Sequence, residues 1–286
     1  MKKRLRFLLV TIGLVLMAGT GRLAYAQNPQ TIEVGPHVGI TSYIGELNTW
    51  RHLGSWSPLN QFNYEVGGVV RYNYDSRWAF RLDYTWLKVQ ALDDAAAWRP
   101  EAELHFRTKV HDLSLMVEFN FLNYYTGRPE SSFSPYIFAG VSGLKYNPQP
   151  CTLDTILAPA FDTWYFRDLM TEDVAYGKYA MSIPFGLGCK LSLSKHLAAT
   201  LEWRMHYTFT DYLDDVSGIY PADANHAQLL DDEGNVVYDF TDPTGAFKEN
   251  HQRGNTTTND WFGMVNLSLT WKFVIPNNSA CKMNVD

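Results

Sequence analysis

Three carboxylates, Asp211, Asp214 and Asp215, crowd the run Thr210-Asp211-Tyr212-Leu213-Asp214-Asp215-Val216-Ser217. Carboxylates grouped with loop carbonyls suit a hard cation such as Ca²⁺, but this spacing is not that of an EF-hand loop. Loop carboxylates also accept backbone N–H groups and fix the path of the chain. On that reading Asp211, Tyr212, Asp214 and Asp215 form a structural motif with no metal assigned. His206 with Asp214 or Asp215 could make an acid–base pair. It falls, however, on the polar face of a strand beside Glu202 and Arg204, where a packed polar network accounts for it. No serine pairs convincingly with a histidine for nucleophilic attack. The expectation is therefore no catalytic residue, no cofactor and no enzyme. A further acidic run, Asp231, Asp232, Glu233, Asp239 and Asp242 around Gly234-Asn235, reads as a solvated hairpin tip, with an external partner surface as the alternative.

The three cysteines, Cys151, Cys189 and Cys281, have no metal-ligand spacing. An odd number in an oxidising compartment leaves at least one unpaired. A Cys151–Cys281 bridge is disfavoured because the strand order expected below puts those residues on opposite sides of a membrane.

The elements that hold these residues show alternation with period two. In 78–86, Trp78, Phe80, Leu82, Tyr84 and Trp86 share one face, and Ala79, Arg81, Asp83 and Thr85 the other. In 197–209, Leu201, Trp203, Met205 and Tyr207 oppose Thr200, Glu202, Arg204, His206 and Thr208. In 261–273, Trp261, Val265, Leu267, Leu269, Trp271 and Phe273 oppose Asn266, Ser268, Thr270 and Lys272. Weaker copies predict strands near 31–43, 63–74, 109–121, 135–146 and 179–192. The phase of 135–146 is ambiguous, and Gly140 and Gly143 suggest a bulge or a tight corner there.

The N-terminus sets the compartment. Lys2, Lys3, Arg4 and Arg6 precede an apolar stretch from Phe7 to Met17, and Ala24-Tyr25-Ala26 is a small-x-small cleavage pattern. Residues 1–26 thus read as a signal peptide cut after Ala26, followed by a barrel over 27–273 and a periplasmic tail over 274–286. No later segment offers the ~20 apolar residues of a spanning helix. Aromatic residues make up 15% of the chain and charged residues only 19%, the balance of a lipid-embedded barrel with aromatic girdles. Residues 1–26 carry five basic side chains and no acid, so the remainder has 19 basic against 30 acidic groups. Nucleic acid needs a basic stripe that this balance lacks.

The expected links between strands alternate. Asp75–Arg77, roughly 122–134 and Leu193–Lys195 are shorter; roughly 44–62, 89–108, 147–178 and 211–258 are long. Short periplasmic turns with long outer loops are the outer-membrane arrangement. The fold expected is all-β: an eight-stranded antiparallel outer-membrane barrel, apolar outside and charged inside. A soluble sandwich or lipocalin-like barrel, the alternative, would bury the apolar face instead. Eight strands leave a lumen that side chains fill, so Glu65, Arg71, Arg81, Asp83, Glu118, Lys190, Glu202, Arg204 and Lys272 should form an internal ion-pair network.

Several stretches resemble the PorG family, the outer-membrane barrel component of the type IX protein secretion system. They are the Thr210–Ser217 run followed by Tyr220, Ser42-Tyr43-Ile44-Gly45-Glu46-Leu47-Asn48, Arg71-Tyr72, Glu118-Phe119-Asn120-Phe121, Ser134-Pro135-Tyr136-Ile137-Phe138-Ala139-Gly140, Pro184-Phe185-Gly186-Leu187-Gly188 and Asn259-Asp260-Trp261. Glu46 stands where the family pattern has Asp, and 151–178 departs from it. The resemblance implies a structural subunit that helps anchor a periplasmic ring, built by a PorK-like lipoprotein and a PorN-like protein, to the outer membrane during cargo export and, in some bacteria, gliding motility. A general small barrel of adhesin or passive-channel type is the alternative. Under the secretion reading only the short turns and the tail reach the ring. Topology therefore singles out Tyr124, Tyr125, Arg128 and Phe133 as candidate partner-binding residues, with outer-membrane lipid as the other partner.

Overall fold

The computed structural model describes residues 30–44, 63–92, 104–153, 164–223, 225–246 and 249–275. The signal peptide, Cys281, nearly all of the tail and Gly45-Glu46-Leu47-Asn48 lie outside the described residues.

Eight long strands carry the fold: β1 (Thr31–Ile44), β2 (Tyr64–Asn73), β3 (Trp78–Leu92), β4 (His105–Asn120), β5 (Phe133–Leu153), β7 (Tyr179–Ser192), β8 (Leu197–Thr208) and β11 (Trp261–Val274). β6 (Trp164–Phe166) pairs antiparallel with the outer end of β5, and β9 (Gln228–Leu230) pairs with β10 (Val236–Asp239) as a separate hairpin. Each long strand is antiparallel to its chain neighbour, and β1 pairs with β11 from Thr31↔Val274 to Ile44↔Trp261. The sheet is a closed barrel.

Its dimensions follow from the register. Cross-strand partners starting at Thr31 run through Asn73, Ala79, Glu118, Phe138, Gly186, Arg204 and Met264, and return to β1 at Thr41 rather than Thr31. A shear of ten residues over eight strands means a strand tilt of about 43° and a barrel radius of about 8 Å. Because the shear is even, every strand keeps the same face inward.

The outward face is apolar through the middle of the barrel. On β4, Leu115 is 57% exposed while the next residue, Met116, is fully buried. Val38, Val66, Leu82, Val141, Leu187, Leu201 and Leu267 are exposed in the same way. Aromatic rings edge this band at both ends: Trp78, Phe121, Trp271 and Phe273 beside the short turns, and Tyr84, Tyr179 and Phe209 beside the long loops. The closed, inside-out barrel with aromatic girdles is the outer-membrane type.

Two expectations about β5 are corrected. The β4–β5 register runs without a shift through Gly140 and Gly143, so neither marks a bulge or corner. A Cβ on Gly140 would come 2.1 Å from the Leu115 carbonyl oxygen, so this glycine serves close strand approach instead. The phase is also settled: Tyr136, Phe138, Ser142, Leu144 and Tyr146 point inward.

β3, β4 and β5 run beyond the boundaries expected from alternation, to Leu92, from His105 and to Leu153. Their outer parts have the opposite polarity. Leu87, Val89, Phe106, Val110, Leu144 and Tyr146 point inward and form a core with Tyr43, Phe262 and Met264, while Lys88, Lys109 and Lys145 point outward. Here the barrel leaves hydrocarbon and becomes an ordinary aqueous barrel.

The apolar band makes a depth-dependent test. Leu115→Arg at mid-band should destabilise the barrel in lipid vesicles by about 2–4 kcal/mol, and Leu193→Arg beside a short turn by no more than about 1 kcal/mol. Urea titration in vesicles followed by tryptophan fluorescence reads both.

Candidate functional site: a lumen sealed at both ends

Six of the nine charged residues expected in the lumen, Arg71, Arg81, Asp83, Glu118, Glu202 and Arg204, meet in one connected layer. Glu118 receives three cations: Arg71 Nε at 2.9 Å, Arg81 Nη1 at 3.1 Å and Lys190 Nζ at 2.5 Å. Glu202 takes Arg81 Nη1 at 2.5 Å, Arg204 Nη2 at 2.6 Å and the Tyr136 hydroxyl at 2.6 Å. Arg204 also reaches Asp83 at 3.0 Å, and Arg71 reaches Glu33 at 3.0 Å. Above them His37 Nε2 lies 3.1 Å from Asp83 and His37 Nδ1 3.6 Å from Glu65. Glu33, Glu65, His37 and Lys190 are as buried as the six. Glycines make the room: a Cβ on Gly186 would sit 2.7 Å from the Phe138 ring, and one on Gly188 2.9 Å from the Tyr136 ring. Phe138 in turn lies under the Arg81 guanidinium at 4.8 Å.

The turn between β4 and β5 closes the periplasmic mouth. Thr126 Oγ1 donates to Glu33 at 2.5 Å, Gly127 N to Ser192 Oγ at 2.7 Å and Tyr124 N to the Ser76 carbonyl at 3.1 Å. Lys272, expected among the ion pairs, donates instead to the Thr126 carbonyl at 2.5 Å. This geometry divides the four candidate partner residues. Tyr124 is buried at 3% exposure, its phenol pushed above its ordinary pKa by burial, and it closes the floor of the lumen. Phe133 projects from the outward face of β5 and belongs to the lower aromatic girdle. Tyr125 is half-buried and Arg128, 4.8 Å from its ring centroid, is exposed; these two remain available at the mouth.

The extracellular mouth is closed by the aspartate motif. Leu213 and Val216 drop into the apolar core of the outer barrel as a cork. The acidic side chains hold its backbone. Asp260 Oδ2 accepts the Leu213 N–H at 2.8 Å, and Asp214 Oδ1 the Val216 N–H at 3.0 Å. The Tyr43 hydroxyl bridges Asp214 and Asp260 at 2.7 and 2.5 Å. Asp211 accepts the Ser217 hydroxyl at 2.6 Å. Asp215, in the left-handed region at φ 66°, accepts the Thr171 N–H at 3.0 Å and the Tyr176 hydroxyl at 2.6 Å. Burial beside that carboxylate holds the Tyr176 phenol far above its ordinary range, which makes it the donor. Tyr212 stacks on Tyr176 at 4.4 Å. Glu172 and Arg253, not singled out from sequence, complete the cap with a 3.3 Å contact. Glu172 accepts the N–H groups of Ser217 and Gly218 at 2.9 Å each, and Arg253 donates to the Asp215 carbonyl at 2.8 Å.

His206 is not beside Asp214 or Asp215. Its Nδ1 lies 3.0 Å from Ser182 Oγ and its Nε2 3.9 Å from Asp112, while its ring stacks on Phe262 at 4.3 Å. A serine–histidine contact thus exists that sequence reasoning did not find, because Ser182 and Asp112 sit on other strands. Ser182 Oγ is also shared with Ser142 Oγ at 2.6 Å. All of them lie beneath the cork and are buried, so a substrate would have to displace Leu213 and Val216 to reach them. Cys151 and Cys189 are free thiols.

A family model described as Domain of unknown function (DUF6089) matches residues 13–242. No curated protein matches the chain. Among solved structures, the N-terminal β-barrel domain of OprF from Pseudomonas aeruginosa is 11% identical, covering 86% of this chain and all of that one, with a TM-score of 0.34. Neisserial surface protein A (NspA) is 10% identical over 85% of this chain and 97% of that one, at 0.39. The outer membrane protein OprG from Pseudomonas aeruginosa is 10% identical over 87% and 98%, at 0.37.

Removing one buried cation leaves carboxylates without compensation. Arg81→Leu, which strips Glu118 and Glu202 of a shared partner, should destabilise the barrel by about 3–5 kcal/mol, whereas Arg128→Leu at the exposed mouth should change stability by less than about 0.5 kcal/mol. Tyr43→Phe removes a hydroxyl from two carboxylates and should loosen the cork by about 1.5–3 kcal/mol, read as faster exchange of the Leu213 amide while the strand amides stay protected.

Proposed function

We propose for this chain, which belongs to the DUF6089 family, a structural rather than a catalytic role: an outer-membrane subunit of the type IX secretion machinery that anchors the periplasmic ring. The observation that carries the reading is the sealed lumen. Tyr124 and Thr126 stop the periplasmic end, Leu213 and Val216 the outer end, and a charge-paired layer lies between. A barrel filled in this way offers solutes no path, so its work is done by its surfaces. The short turns beside Asp75–Arg77 and Leu193–Lys195 and the 122–132 turn are firmly tied on the periplasmic side, and on this reading they form the docking face for the ring. The motifs that resemble the PorG family support the specific assignment. Several of their residues, Arg71, Glu118, Tyr136 and Gly186, meet in the single lumen layer described above.

On this reading the PorK-like lipoprotein and the PorN-like protein contact Tyr125 and Arg128 at the mouth. The passive-channel alternative makes the opposite demand on the lumen, since it needs a continuous aqueous path.

Deletion of the chain should stop secretion of type IX cargo while other outer-membrane barrels insert normally; normal secretion rejects the proposal. In a strain carrying Tyr125→Ala with Arg128→Glu, co-purification of the ring proteins should fall at least fivefold with the barrel level unchanged. Purified protein in planar bilayers should show no steady conductance, and a stable ohmic current would favour the channel.

A further inference from the structure

Outside the lumen, one patch of charge lies on the wrong face for an ordinary membrane barrel. Lys88 on β3, Arg107, Lys109 and His111 on β4, Lys145 on β5 and Lys178 just before β7 sit on the outward face or rim at the long-loop end. Lys88 and Lys109 are direct cross-strand partners of like charge, and Lys145 stands opposite His111. Like charges directly opposite each other destabilise a sheet unless something of opposite sign lies between or beside them. Among the described residues the ion pairs fall in the lumen and the cap, and none includes these side chains. Asp168, which also accepts the Asn147 and Gln149 amides at 2.8 and 2.6 Å, places a single negative charge beside Lys109 and Lys178, and one carboxylate does not balance the lysines and arginine gathered here.

The surroundings indicate which class of anion would fit the patch. The cations stand where the polarity of β3, β4 and β5 inverts, immediately above the lipid-facing Tyr84, Leu113, Val141 and Met181. Two are steadied by rings of the upper aromatic girdle, Lys88 over Tyr64 at 5.4 Å and Lys145 over Tyr179 at 6.0 Å, and His111 Nδ1 is hydrogen-bonded with the Tyr84 hydroxyl at 2.8 Å. A ligand here must carry concentrated negative charge directly attached to acyl chains. We propose that this face of β3–β4–β5 is a binding site for the phosphoryl groups of an outer-leaflet glycolipid of the lipid A type. Its chains lie along the apolar band, and its phosphates are bound by Lys88, Lys109 and Lys145 with His111 and Arg107 at the edges. A free anion in solution would gain nothing from the adjoining hydrocarbon face, which is why lipid is the source favoured. The site is independent of the secretion reading, since it faces away from the periplasm.

The test uses the full chain purified in detergent, with diphosphoryl lipid A as probe, monophosphoryl lipid A and inorganic phosphate as comparisons, and native mass spectrometry as readout. Wild type should retain diphosphoryl lipid A, bind the monophosphoryl form several-fold more weakly, and lose neither to millimolar inorganic phosphate. The triple variant Lys88→Gln, Lys109→Gln, Lys145→Gln should bind at least tenfold more weakly, and Arg128→Gln at the opposite end should bind as wild type. Heat-modifiable migration on gels confirms that each variant is folded. If the triple variant does not fold, Lys109→Gln alone should weaken binding about threefold, with the affinity of wild type falling as salt rises. Unchanged binding by the folded variants, or displacement by inorganic phosphate at equal concentration, would overturn the proposal.

Discussion

The pairing of β1 with β11 is the constraint from which the other features descend. In hydrocarbon an unpaired backbone N–H or C=O costs several kcal/mol, so a spanning sheet must have no edge. Twelve register partners from Thr31 to Ile44 remove that edge. Closure with a shear of ten then fixes tilt, radius and sidedness together. Strict alternation under an even shear sends Glu33, Arg71, Arg81, Glu118, Glu202 and Arg204 inward and Val34, Val70, Leu82, Val117, Leu201 and Trp203 outward. A slip of one residue between any two strands would carry guanidinium groups into lipid.

The radius of about 8 Å that follows from this geometry leaves an interior that side chains have to fill. The lumen meets that condition with long side chains whose charges cancel. Pairing such groups is not a large source of stability, because each ion has given up its water. Its consequence is discrimination. Glu118 can satisfy Arg71, Arg81 and Lys190 only when β2, β3, β4 and β7 stand in their proper register. Gly186 and Gly188 admit the Phe138 and Tyr136 rings only on the same terms. The charged layer therefore selects one arrangement among the many that a greasy exterior alone would tolerate.

What was legible in the sequence follows the same logic. Alternation with greasy residues outward was readable wherever lipid is the solvent, as in 78–86 and 197–208, and it placed the lumen charges with the right facing. It failed where water is the solvent. Beyond Trp86 on β3 and above His111 on β4, apolar residues turn inward and lysines outward, so the strands continue while the pattern that marked them inverts. The cork was half legible: carboxylates tying down a loop were expected, but Leu213 and Val216 look like any loop residues until Phe262 and Met264 from β11 lie beneath them. Contacts between distant strands left no local trace at all. Ser182 beside His206 and Thr126 beside Glu33 join positions 24 and 93 residues apart. Topology alone places Tyr124 on the periplasmic side, and nothing local in the sequence marks that its turn folds back across the mouth.

The inversion of polarity also marks the membrane surface more sharply than the girdles do. On the inner side of that level every outward residue between the girdles of β3, β4 and β5 is apolar or aromatic. On the outer side the outward positions Lys88, Lys109 and Lys145 carry charge, and the inward ones build the core that seats the cork. The same few residues on each strand thus do two things at one height: they end the contact with lipid chains and begin a soluble barrel that can be corked. Because Leu213 and Val216 need that apolar core to be buried, the cork belongs above the membrane and not within it. The charged layer below is then left with no solvent to satisfy its ions, and it has to satisfy them internally. The sealed interior and the extended outer strands are in this sense one structural solution, and interaction with other molecules is left to the two rims and the lipid-facing wall.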